Sequence, residues 1–164
     1  MSKKGQLADS WALIITIGVL GITLPLLWVM FDSVQTSFQN TPALNITENQ
    51  DILTTGFDTV KNIDTYFAIA VVGAILVYFM SAFLIPTTPL FGIIFFIGNM
   101  ILWLLTPVLS NIYETISTTS LMQSATASNP LIDTVMLNLP LIITPIILLG
   151  LLVFYGKRFV LNGE

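Results

Sequence analysis

Apolar residues gather in four long runs, at about 11–31, 65–85, 90–109 and 135–155. At about 1.5 Å per residue, a helix of each run matches a hydrocarbon core of about 30 Å. The second and third runs lie in a stretch, residues 65–113, with no Asp, Glu, Lys, Arg or His, broken only by Ile85-Pro86-Thr87-Thr88-Pro89. Proline lacks a backbone donor and ends helices, so this break predicts a tight turn between two spans that pack as antiparallel neighbours. The fold expected is an all-α integral membrane protein, one domain of four transmembrane helices in two αα-hairpins. Outer loops are expected at about 32–64 and 110–134.

Composition strengthens this picture. The 164 residues are 55% hydrophobic and only 9% charged, with a net charge of -4. Soluble domains carry roughly a quarter charged residues, and fourteen charged side chains could not cover one of this size. Lipid covers a membrane protein instead. No basic patch is available for nucleic acid. Cysteine and histidine are absent, which removes thiolate and imidazole metal ligands, disulfides and the usual general base.

The polar segments add detail. The run Lys3-Lys4-Gly5-Gln6 ahead of an apolar segment resembles an archaeal prepilin processing site, a likeness limited to those residues. The apolar run continues to Phe31, past the 7–15 residues of a secretory signal, so a retained membrane anchor is expected. Trp11 and Trp28 lie near the ends of this span, where amphipathic rings favour the headgroup level. Pro25 predicts a bend, and the helix is expected to continue through Asp32–Ser37, which holds no breaker. Thr47-Glu48-Asn49-Gln50 has capping-box spacing before a short surface helix. Asn45-Ile46-Thr47 is a glycosylation sequon. Asp58, Lys61 and Asp64 read as the solvated start of the second span, at i,i+3 spacing.

Charge sets the expected topology. Lys3, Lys4, Lys157 and Arg158 flank the outer ends of the first and fourth spans, whereas Lys61 is the one base in the long loops. The positive-inside rule then places both termini on the cytoplasmic or interior side.

The halves also show a weak tandem repeat. Pro25, Phe31, Asp32, Ser33 and Val34 lie over Pro107, Tyr113, Glu114, Thr115 and Ile116, and Asp58-Thr59-Val60 recurs as Asp133-Thr134-Val135. Any helix leaving a membrane produces part of this pattern, and the two offsets differ.

Candidate chemistry is sparse. Every acid lies at or beyond a predicted membrane edge, so no carboxylate stands within a span to carry protons. Glu48, Asp51 and Asp58 could meet a cation only without a recognisable loop motif. No catalytic residue, metal ligand or cofactor site is predicted. The residues singled out serve helix packing. Asn99 and Asn138, on different spans at similar depth, could hydrogen-bond across helices, and Ala70, Gly73 and Ala74 permit close helix approach. Pro140 and Pro145 predict a kink in the fourth span.

The function expected is that of a non-enzymatic structural or accessory subunit of a larger membrane assembly. A lipid-containing virion, a secretion or pilus machine and a respiratory complex are examples. Its partners would be the lipid bilayer and other membrane subunits or copies of itself. The alternative is a small passive channel or transporter acting as an oligomer, since broken helices and repeats recur in transporters.

Overall fold

The computed structural model describes residues 5–41, 51, 54–56, 58, 60–86 and 88–161, with side chains from Ile15 to Lys157. Of the described residues 91% are helical, and none is in a strand. Helix α1 is Gly5–Asn40, α2 Ile63–Leu84, α3 Pro89–Ser117, α4 Gln123–Ser128, α5 Pro130–Leu137 and α6 Leu139–Leu161. Among the described residues four stretches are long and apolar enough to cross a membrane: Ile15–Asn40, Ile63–Leu84, Pro89–Ser117 and Leu139–Lys157. The sequon at Asn45, the Thr47–Gln50 capping box with Glu48, and Lys3 and Lys4 lie outside the described residues, as does the side chain of Arg158.

Helix α1 does run past its apolar stretch, through Pro25 and on to Asn40. Its polar end is satisfied locally. The hydroxyls of Ser33, Ser37 and Thr41 each donate at 2.8 Å to the carbonyl four residues back. Helix α3 likewise outlasts the third predicted span, reaching Ser117.

The two αα-hairpins form, α1 against α2 and α3 against α6, but the two spans joined by the Pro-rich turn are not the neighbours expected. α2 packs against α1 and α6, and α3 packs against the same two helices. The ring order is therefore α1, α2, α6, α3, and the two spans joined by the Pro-rich turn face each other across the diagonal. A short connection requires their ends to be close, not their lengths. The turn itself forms as expected. Ile85 N–H donates to Ser81 O, and Pro89 begins α3, where a missing N–H costs no hydrogen bond.

The same ring order bears on the tandem repeat. α2 and α6 run parallel, because Asp64 of α2 meets the start of α5 while Lys157 of α6 meets the end of α2. These contacts define a Asp64 end and a Lys157 end of the bundle. A two-fold axis along the bundle would exchange α1 with α6, which run in opposite directions. The repeat thus has no rotational counterpart in the fold.

A further difference concerns residues 110–134. They do not form a polar loop: after α3 ends, α4 and α5 fold back onto the bundle. Met122, Ala125, Asn129, Ile132 and Met136 are at most 1% exposed, and the apolar four join one cluster with Ile17, Trp28, Ile63, Phe67 and Leu102. The spacing of those five positions, 3-4-3-4, is that of one helical face. Gly21 makes room for this segment, since a Cβ there would collide with the Met136 side chain.

The fourth span is interrupted at Asn138 and not at the prolines. Pro140 sits in the first turn of α6, where proline is tolerated. Pro145 lies inside α6, which continues through it.

Candidate functional site

Among the described residues, polar side chains of different helices meet within the spans in two places. In the first, the Tyr78 hydroxyl donates to Asn99 Oδ1 at 2.6 Å, and Asn99 Nδ2 donates to Phe95 O at 2.8 Å. Tyr78 and Asn99 are 1% and 3% exposed. Tyr78 thus crosses the diagonal from α2 to α3. Its ring stacks on Phe95, and Phe95 stacks on Phe154 with centroids 5.0 Å apart. The crossing requires a gap in α6, and Gly150 provides it: a Cβ there would come within 2.6 Å of Tyr78 Cζ.

The second group lies along the seam of α3 and α6. Trp103 Nε1 donates to Thr144 Oγ1 at 2.9 Å, and Thr144 donates onward to Pro140 O at 2.6 Å. About two turns towards the Asp64 end, Ser110 Oγ donates to Leu137 O at 2.9 Å. That carbonyl belongs to the last turn of α5, where an intrahelical donor is not assured.

The asparagine pair expected across helices does not form. Asn99 takes Tyr78 as its interhelical partner, while Asn138 is exposed and donates to Thr134 O of its own segment. The small residues of α2 also divide. Ala74 is buried and Ala70 half-buried, whereas Gly73 is exposed with nothing within 4 Å of a Cβ placed on it. Gly73 therefore makes no close approach within the bundle. The glycines at tight contacts are Gly18, against Leu109, together with Gly21 and Gly150.

No family model, curated protein or solved structure matches the chain. What it can do must be read from its own contacts.

Asp64 and Lys157 reach between elements at opposite ends of the bundle. The Asp64 carboxylate accepts from Leu131 N and Ile132 N at 2.9 and 3.0 Å, taking the free donors of the first turn of α5. Negative charge is favoured there by the helix dipole as well. At the other end Lys157 Nζ donates to the carbonyls of Ala82 (3.0 Å), Phe83 (2.6 Å) and Ile85, the last turn of α2. Its ammonium also lies 5.0 Å from the Phe154 ring centroid. In the sequence both residues read as ordinary edge charges. Each instead caps a helix distant in the chain, a relation no local pattern encodes.

The loop acids are dispersed. Asp58 pairs with Lys61 at 3.5 Å on the surface, and Asp51 is exposed. Among the described residues no three acids converge on a metal position. Near the Asp64 end, Tyr113 donates to Asp133 Oδ1 at 3.2 Å. Asn129 Oδ1 is buried there without a hydrogen-bond partner, while its Nδ2 donates to Ala125 O.

The Tyr78–Asn99 bond yields a direct prediction. Asn99→Leu and Tyr78→Phe are each expected to destabilise the bundle by about 1–2 kcal/mol. The double change should cost little more than the worse single one, because both remove one bond. Thermal unfolding in detergent, followed by circular dichroism, measures all three.

Proposed function

We propose that the chain is a non-enzymatic structural or accessory subunit of a larger membrane-embedded assembly. One observation carries this reading. The most deeply buried polar side chains of the spans, Tyr78, Asn99 and Thr106, are engaged within the chain, as is Ser110. The outward faces are mostly apolar. Ile69, Leu76 and Met80 of α2 are 59–65% exposed, as are Leu90, Ile93 and Leu104 of α3. Along the α3–α6 seam, grooves of about 500 and 320 Å³ meet at Trp103 and Thr144. Ridges and grooves of this kind suit neighbouring helices or acyl chains, since transmembrane association rests largely on packing.

The same reading places both termini on the cytoplasmic side, on the positive-inside rule. A passive pore through a single copy fits less well, because Tyr78 and Phe95 fill the space between α2 and α3. A conducting path would then run between copies.

Gentle detergent extraction from the native membrane, followed by size analysis and identification of co-purifying chains, tests the proposal. The expected result is a complex several times 18.0 kDa containing other membrane chains. A lone monomer or small ring that conducts ions or solutes in liposomes would overturn it.

A further inference from the structure

We propose that residues 122–137, the α4–α5 pair, form a strap that opens and closes over the Asp64 end of the bundle, latched by the Asp64 carboxylate. The strap is a discrete body. The Thr118–Met122 turns precede it, and the interruption at Asn138 follows it. It is seated by an apolar face, Met122, Ala125, Ile132 and Met136, each at most 1% exposed. Three polar ties join it to the long helices. Asp64 of α2 accepts from Leu131 N and Ile132 N, Tyr113 of α3 donates to Asp133, and Ser110 of α3 donates to Leu137 O.

The three ties are unequal. Asp64 provides two charge-assisted bonds to backbone donors, aided by the helix dipole. The Tyr113–Asp133 contact is longer at 3.2 Å, and Ser110 holds the residue next to the hinge, where opening moves it least. The closed state also carries a penalty at its centre. Asn129 Oδ1 is buried without a partner, and such an acceptor regains hydrogen bonds once water reaches it. One strong latch therefore opposes one built-in cost. Opening uncovers the apolar cluster that α1, α2 and α3 present at this end.

The chain has no cysteine, so a single introduced thiol reports on the strap. Ala125→Cys is buried when the strap is closed, and Ala127→Cys on the exposed side gives the rate for free access. In nanodiscs with a water-soluble maleimide, Ala125→Cys is expected to react far more slowly than Ala127→Cys. Adding Asp64→Ala should raise its rate about tenfold or more, the effect expected of losing hydrogen bonds to a charged group. Adding Asp58→Ala, at an exposed acid of the same region, should leave it unchanged. Equal rates for the Asp64→Ala and Asp58→Ala backgrounds would overturn the proposal, as would fast labelling of Ala125→Cys alone. Hydrogen exchange on Asp64→Ala needs no added thiol. Faster exchange confined to residues 122–137 supports a latch, and faster exchange spread through α2 and α3 would show a general stabiliser instead.

Discussion

Gly150→Ala is expected to destabilise the bundle by about 2–3 kcal/mol, and Gly150→Leu to prevent its folding. The added methyl would meet the Tyr78 ring, since even Cζ would lie 2.6 Å from an alanine Cβ at 150. The ring cannot retreat easily. Phe95 stacks on it at 6.3 Å, Phe79 packs edge-on at 5.7 Å, and the hydroxyl is tied to Asn99. Overpacking of this kind forces off-rotamer side chains or backbone shifts, and here it would strain the one bond that joins α2 to α3 across the diagonal. Pairing Gly150→Ala with Tyr78→Ala should cost much less than the sum of the two, because the first change fills the space vacated by the second. Thermal unfolding in detergent of the four proteins measures this coupling.

Lys157→Met is expected to cost about 2 kcal/mol. Removing the ammonium deprives the Ala82, Phe83 and Ile85 carbonyls of a shared donor and ends a favourable cation–dipole contact at a helix C-terminus. The Phe83 and Phe154 rings lose their cation as well, from 5.9 and 5.0 Å. Methionine keeps the length and apolar stem of lysine, so the loss isolates the charged head. Lys157→Arg should retain most of the stability. The measurement is unfolding of each variant in the same detergent, with exchange protection of residues 80–85 as a local readout. Unchanged protection there in Lys157→Met would contradict the cap.

What was legible in the sequence followed from length and polarity. A run of about 20 apolar residues can hardly be anything but a span, and all four were recovered, α2 almost to the residue. The Pro86–Pro89 turn and the continuation of α1 past Phe31 were legible because proline and its absence act locally. The strap was also encoded, in the 3-4-3-4 spacing of Met122, Ala125, Asn129, Ile132 and Met136, but Ser, Thr and Pro around those positions hid it. Partner choice was not legible. Asn99 needed an acceptor or donor in the membrane, and only the packing of α2 against α6 determines that Tyr78 supplies it. Gly150 and Gly73 look alike in a string of letters. One seats a ring and the other meets open space.

The placement of α6 between α2 and α3 sets an order on assembly. Translation delivers α2 and α3 to the bilayer together, joined by a short turn, before α6 exists. Until then α1 alone packs against both, and the Gly150 groove that receives Tyr78 does not exist. The native diagonal is therefore complete only once α6 is packed against both helices and Gly150 admits the Tyr78 ring.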